Sequence, residues 1–446
     1  MMNTIRNFFK KVIGIFGFYT TLDGIGIKPA VSDRMTAEVT KWRSAYRETA
    51  GLSLPASIST ELARLVTLEF KTQISGSDRA NYLNNSYQDF IKNIRRHTEA
   101  AAALGGVMFK PYVQNGKIYI DCVQAEQFVP TAVDPAGNIT SCVFLDRIFK
   151  GKKYYTRIEE HTWQDGMYVV RNSTYVSDTE SSIGRRTSLS DISEWGNLQP
   201  ETYIKGIKRP LFAYFKMPMA NRFDTDSPLG ISVFAGSLNL INDANKQYER
   251  LLWEFESGER AVYADETAFK TDKNGNKVLP DKRLYRLLGT EELFEEWTPE
   301  LREENIIKGL NEILRKIEFN TGLAYGTLSD TQDVDKTAEE IKSSKQRSYS
   351  TISDIQSALK NALLELVEVL KIFADLYELC SDGECSVSFD FDDSIIADRK
   401  TEFEEKMRLV SLGILKPWEV RGWYMGEDEE TAKANVMGGE PEGFEE

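Results

Sequence analysis

One long helical segment whose two halves differ in chemistry constrains this chain more than any other feature. Ile352, Ile355, Leu359, Leu363, Leu366, Leu370, Phe373 and Leu376 recur every three or four residues, the spacing that lines them along one stripe of an α-helix. The residues just before them, 341–351 (IKSSKQRSYST), are polar nearly all round. Only the second half is therefore expected to pack into a core of its own chain, while the polar half is expected to meet other copies, a loop or a wet channel. Thr337 and Glu340 have capping-box spacing and open the helix. The polar stretch FNTGLAYGTLSDTQDVD before them is predicted to be a long loop.

Upstream the hydrophobic period changes at Gly105 and Gly106. Before that pair, from residue 34 to about 104, the spacing is helical, as in Ile58, Leu62, Leu65, Val66 and again in Tyr87, Phe90, Ile94. After it, VMFKPYV, the turn Asn115-Gly116 and KIYIDCV predict a β-hairpin. QFVPTAV, ITSCVFLDRIF, YYTRIEEHTW and YVVRNSTYV follow, joined by the turns DPAGN, KGKK and QDGM, and predict an antiparallel meander. Residues 177–190 read as an exposed loop, and RPLFAYFK as a returning strand. A helix is expected to open at Ser227 with Pro228 in its first turn, carrying Phe234, Leu238, Ile241, Tyr248, Leu252 and Phe255 on one stripe. A short mixed segment follows Gly258, and a second helix is expected near Thr298 and Pro299, with Ile306, Leu310, Ile313 and Ile317 facing one way. CSVSFDFDD is a predicted strand, and the remainder is helical with an acidic tail. The fold class is α+β.

With 446 residues, two to four structural regions are expected. Lys and Arg number 55 against 69 Asp and Glu, a formal charge of -14, so no global basic field draws the chain onto phosphate backbones. Such acidity suits the passage of a polyanion better than its capture. The four cysteines are scattered and read as reduced thiols, and only two histidines, His97 and His161, are present. Neither a zinc site nor a histidine-based triad is expected. The start, MMNTIRNFFKKVIGIFGFY, reads as an amphipathic helix docking on protein, since its apolar run is too short to span a membrane.

No Gly-rich phosphate loop ending in Lys-Ser/Thr appears, so the chain is not a P-loop motor. Asp390, Asp392, Asp393 and Asp398 could together hold magnesium for phosphoryl or nucleotidyl transfer. Their alternation with Val387, Phe389 and Phe391 favours a half-buried strand with a solvated face. Glu159, Glu160 and His161 read as an exposed strand face beside a turn. Lys270, Lys273 and Lys277, within a basic group reaching Arg286, read either as solubilising residues or as a partner-docking surface. No catalytic residue, metal ligand or cofactor is assigned.

The segments LGGVMFKPYVQNGKIYIDCVQAEQFVP, YYTRIEEHTW, RPLFAYFK, SPLGISVFAG, WEFESGE, DKTAEEI and FDFDDSIIADR, in this order, resemble the portal proteins of siphophages and prophages of Gram-positive bacteria. The resemblance runs from end to end of the chain. It implies a non-enzymatic ring, usually of twelve copies, at one capsid vertex, through which double-stranded DNA passes without sequence reading. The domains it implies are a wing at 1–226, a stem helix at 227–258, a clip at 259–297, a second stem helix at 298–319, a tunnel loop at 320–336, a long helix and returning wing strand at 337–399, and a short crown at 400–446. Thr331, Gln332, Asp333 and Lys336 would face the channel, and Lys270, Lys273 and Lys277 would mark the docking clip. The implied partners are the terminase large subunit, head-completion or adaptor proteins, and the major capsid and scaffolding proteins, with no membrane. The product would be made in the bacterial host cytoplasm and carried in the virion. Two alternatives stay open: another head-tail adaptor or minor capsid component, and a magnesium-dependent nucleic-acid enzyme using the Asp390 to Asp398 group.

Overall fold

The computed structural model describes residues 22, 26–180, 182–258, 261–264, 285–287, 294–297, 300–330, 338–391, 399–427 and 429–435. The chain divides into two compact units. One comprises residues 1–67 and 72–389, the other residues 68–71 and 390–446.

The larger unit opens with helices α1 (Asp33–Arg47) and α2 (Leu54–Val66), strand β1 (Lys71–Ser75), and helices α3 (Asp78–Ile91) and α4 (Ile94–Leu104). Ser32 and Ser77 cap α1 and α3 by accepting from the backbone N–H groups of Met35 and Ala80. The helical reading of residues 34–104 thus holds except at β1. That strand pairs with β14 (Ser386–Asp390), more than three hundred residues away.

The hairpin forms as expected from β2 (Gly106–Gln114) and β3 (Lys117–Gln124). Asn115 and Gly116 both take positive φ, 51° and 71°, which matches the twist of a two-residue turn. The meander differs from expectation in being divided. The hairpin belongs to a three-stranded sheet of order β10-β2-β3, with β10 at Ala213–Lys216. A separate sheet holds β4 (Phe128–Val133), β5 (Ile139–Lys150), β6 (Lys153–Gln164), β7 (Met167–Ser177) and β8 (Arg185–Thr187) in sequence order, and β9 (Glu201–Ile204) also pairs with β7. The stretch read as an exposed loop therefore contains β8, a short edge strand.

Helix α5 (Leu238–Ser257) begins eleven residues after the expected Ser227. Residues 227–234 pack as non-helical chain instead, followed by a single 3-10 turn at Ala235–Ser237: the Val233 N–H donates to the Ala102 carbonyl at 3.0 Å, and Leu229, Ile231, Val233 and Phe234 are buried. Tertiary packing overrides the helical start that Pro228 suggested. Beyond α5 lie β11 (Ala261–Ala264), β12 (Tyr285–Leu287) and β13 (Phe294–Trp297), a three-stranded sheet in which β11 pairs parallel with β12 and antiparallel with β13. Helix α6 runs over Glu303–Thr321, starting later than Thr298. Its buried residues are Asn311, Leu314, Ile317, Glu318 and Thr321, so its buried face is rotated from the predicted Ile306–Leu310–Ile313–Ile317 stripe.

The long helix is α7 (Ala338–Leu376), of 39 residues. Ile352, Ile355, Leu359, Leu363, Leu366 and Leu370 are buried, each worth roughly 1.5–3 kcal/mol of transfer free energy. The helix packs on β10, β2 and α2. On the same three-stranded sheet, Phe109 meets Phe90 edge-on at 4.9 Å and lies 6.0 Å from Phe215. Arg79 ties the start of α3 to the end of α7: its guanidinium donates to the Lys371 carbonyl at 2.9 Å and pairs with Asp375 at 2.7 Å. The polar half of α7 is not free of its own chain, because Ser344 and Ser348 are buried.

In the smaller unit α8 (Arg399–Ser411), α9 (Pro417–Met425) and α10 (Glu429–Asn435) surround a slight core of Val420 and Ala432. Phe403 lies against Tyr424, and the Lys406 ammonium sits 4.8 Å over Trp423. Among the described residues no helix is long and apolar enough to cross a membrane.

Candidate functional site

Helices α5 and α6 pack against each other, and each of the two segments that leave this pair is tied at its base by one carboxylate. At the first base Glu254, near the end of α5, accepts from the Arg302 backbone N–H at 3.0 Å and from its guanidinium at 2.8 and 3.1 Å. These bonds to Arg302 hold the Glu254 carboxyl below its ordinary range. The chain that departs at 258 and returns at 302 is thereby closed at its root, and β11, β12 and β13 lie between the two ends.

The second base lies roughly 24 Å farther along α6, at 1.5 Å per residue. Glu318 is 0% exposed. Its Oε1 accepts from the backbone N–H groups of Gly326, Leu328 and Ser329 at 3.1, 2.6 and 2.9 Å, and its Oε2 accepts from Ser329 Oγ at 2.9 Å. Donors converging on one carboxylate offset much of the cost of burying it. Asn311 Oδ1 accepts from the Asp330 N–H at 3.2 Å, and Ser344 Oγ from the Tyr325 N–H at 2.8 Å. The Arg347 guanidinium lies 4.4 Å from the Phe319 ring centre and 5.0 Å from that of Tyr325, within cation–π range of both. Gly322 ends α6 at φ 74°, and a Cβ there would fall 2.3 Å from Thr351 Oγ1. Residues 322–330 are therefore bolted between α6 and α7. What the sequence presents as one long polar loop is a fixed turn followed by a shorter segment beginning at 331.

Thr331, Gln332, Asp333 and Lys336 lie outside the described residues, as do Lys270, Lys273 and Lys277, Asp392, Asp393 and Asp398, the capping Thr337 and the N-terminal segment 1–21. Asp390 is an exposed strand residue in an alternating pattern, and no group of three metal-binding side chains occurs among the described residues. Glu318 and Glu254 were not singled out in the sequence. The available signal was a polar residue in phase with apolar neighbours: Asn311, Leu314, Glu318 and Thr321 recur at three and four residues.

The expectation of an exposed face at Glu159 and His161 is overturned. Glu159 accepts from Lys110 Nζ at 2.7 Å and from His161 Nε2 at 2.8 Å, and is ion-paired with the Arg157 guanidinium at 3.0 Å. Tyr168 Oη accepts from the Leu211 N–H at 3.1 Å and lies 2.9 Å from His161 Nδ1. Nε2 faces the Glu159 carboxylate, which only accepts, and so carries a proton; with the imidazole neutral, the Tyr168 hydroxyl donates to Nδ1. Burial lowers the His161 pKa, an effect the neighbouring Glu159 only partly offsets. For Glu159, burial works upward, but Lys110, His161 and Arg157 bring the net shift well below the ordinary value. This network joins β2 of one sheet to β6 and β7 of the other, and every polar atom of its carboxylate is engaged structurally.

Residues 43–432 match the family model described as "Phage portal protein, SPP1 Gp6-like". An α+β portal fold is thus the class to which these elements add up, and the chain belongs to the phage portal protein family. This is a structural family and a virion component rather than a catalytic one. No curated protein matches the chain. Among solved structures it is similar to the one described as "Neck of native GTA particle computed with C12 symmetry", at 10% identity and a TM-score of 0.37, covering 82% of this chain and 88% of that one.

Proposed function

We propose that this chain is the repeating subunit of a portal ring, usually of twelve copies, set at one capsid vertex as the channel for duplex DNA in packaging and ejection. The observation that carries the reading is the helix pair α5–α6 with two outgoing segments, each clamped at its root by a carboxylate. In this reading α5 and α6 are the stem, 259–297 the clip, 331–336 the part of the tunnel loop that meets DNA, residues 1–226 with the returning strand the wing, and 400–446 a short crown. Leu252, Trp253 and Phe255 favour association, being 45%, 60% and 46% exposed near the end of α5, where a ring lets each copy cover a different surface of its neighbour.

The ring itself performs no covalent chemistry. The ATPase of a terminase moves the DNA while the channel centres it, and the clip, with Lys270, Lys273 and Lys277, docks the terminase large subunit and then head-completion proteins. The major capsid and scaffolding proteins meet the outer wing. Channel residues Thr331, Gln332, Asp333 and Lys336 touch phosphates rather than bases.

Light scattering after size exclusion, followed by negative-stain electron microscopy, tests the assembly. Rings with an axial hole and about a dozen subunits are expected, and a strictly monomeric, equally stable protein at high concentration would refute it. Lys336→Glu is expected to reduce DNA retention and particle yield by about tenfold or more through repulsion of phosphate, with ring mass unchanged. Wild-type titres from that variant would remove Lys336 from the channel.

A further inference from the structure

Helices α8, α9 and α10 occupy 399–435, fewer than the roughly 40 residues below which a disulfide, a metal or oligomerisation usually completes a fold. A disulfide is closed to this segment, because Cys385 is the last cysteine of the chain, and so is an imidazole-bound metal, because His161 is the last histidine. No group of three metal-binding side chains occurs among the described residues. Oligomerisation is left. Val420 and Ala432 are the only buried apolar residues described in the segment, whereas Met407, Leu412, Ile414, Trp423, Tyr424 and Met425 are exposed.

Most of these residues gather at two opposite ends of one hairpin. Phe403, near the start of α8, lies 5.1 Å from Tyr424 at the end of α9, so the two helices run antiparallel, with 412–416 joining their other ends. At that loop the Gly413 N–H donates to the Val410 carbonyl and the Ile414 N–H to the Leu409 carbonyl, both at 2.9 Å, with Gly413 at φ 69°. This is a Schellman closure, which often packs the residue after the glycine onto its own helix. Here Leu412 and Ile414 instead stand 63% and 65% exposed, an aliphatic knob on a fixed turn. At the far end Trp423, Tyr424 and Met425 form a largely aromatic pad, with Phe403 against Tyr424 and the Lys406 ammonium against Trp423. About 12 Å of α9 separates pad from knob, at 1.5 Å per residue.

A two-fold dimer needs one patch that meets itself, and a single unrelated partner also needs only one. Two unlike patches at opposite ends of a short hairpin fit a head-to-tail repeat, in which a knob meets a pad at every junction. We infer that Leu412 and Ile414 of one copy dock on the Trp423, Tyr424 and Met425 pad of the next, so that α8, α9 and α10 complete their core only from a neighbouring copy. The inference rests on the ring reading and adds to it that this contact orders the C-terminal helices.

Ile414→Cys combined with Met425→Cys in the full-length chain, treated with oxidised glutathione, tests the pairing. Within one copy α9 holds the two introduced thiols beyond the roughly 7 Å Cα separation that a disulfide allows, so a bond between them joins two copies. The double variant is expected to give a ladder of linked chains on a denaturing gel, with the 414–425 bond identified by mass spectrometry, and neither single variant is. In the wild-type protein, amides 418–425 are expected to exchange about a hundredfold more slowly in assembled rings than after dilution to monomers. Rings seen by light scattering without the ladder, or without the change in exchange, overturn the inference and leave the ring reading standing; if no rings form, both fall. Dimers from Ile414→Cys alone would assign the knob to a two-fold contact, and full protection of 418–425 in the monomer would assign its cover to the same chain. Either result overturns the inference. Should the double variant fail to assemble, exchange in the wild-type protein decides.

Discussion

Glu318→Ala is expected to destabilise the α6–α7 region by about 3–5 kcal/mol, because it strips a buried charged acceptor from three backbone N–H groups and leaves them without partners. Glu318→Gln separates charge from geometry. Its amide oxygen can still accept those three N–H groups while its NH₂ turns to the Ser329 hydroxyl, so a smaller loss of about 1–2 kcal/mol is expected. Hydrogen exchange offers a local readout, with amides 326, 328 and 329 in Glu318→Ala exchanging about a hundredfold faster or more. If they stay as protected as in wild type, residues 325–330 are held by Asn311, Ser344 and the Arg347 stack instead. In the portal-ring reading the same variant retains the helices yet loses control of the chain at 331, so DNA retention falls before assembly does.

This clamp also marks where sequence reading reached its limit. The hairpin at 106–124 was legible because its turn chemistry and alternation are local, and the apolar half of α7 because its stripe is continuous. β1 was missed because KTQIS is an ordinary short segment until Ser386–Asp390 arrives beside it. The start of α5 was misread because residues 227–237 bond to the end of α4 and to Tyr214, contacts invisible to a window of neighbours. Glu318 and Glu159 share one cause of invisibility. Each is an acidic residue on a buried face, and whether such a residue is an error, an exposed position or the centre of a network depends on donors supplied from elsewhere. Lys110, which joins Arg157 and His161 of its own strand around Glu159, comes from β2 of another sheet, and the partners of Glu318 come from a turn that looked like plain loop.

Removing the Glu159 charge has the second large effect. Lys110 and Arg157 are mostly buried around it, with side chains 9% and 14% exposed. Glu159→Gln leaves Lys110 without its counter-charge and Arg157 with only Asp146, 3.6 Å away, and is expected to cost about 3–5 kcal/mol, measurable in denaturant. Adding Lys110→Met should restore part of that loss, and strict additivity of the two changes would mean the ion pair carries no coupling. Acid tests the same network with the sign fixed in advance. Burial lowers the His161 pKa and takes that of His97 down to about 4; both stay neutral in the fold while an unfolded chain binds protons below about 6.5. Their contribution is complete above that pH and is lost as pH falls toward the folded values, on the order of 2–3 kcal/mol for His97. Glu159, lowered as well, adds a further loss below about 4.5. Asp121 and Glu365, raised by burial, act in the opposite sense in the carboxylate range. Because the chain has only these two histidines, a decline beginning near pH 6.5 isolates them. His97→Gln and His161→Gln should each flatten it between about pH 6.5 and 5, and an unchanged slope in both would mean that the imidazoles are already charged in the folded protein.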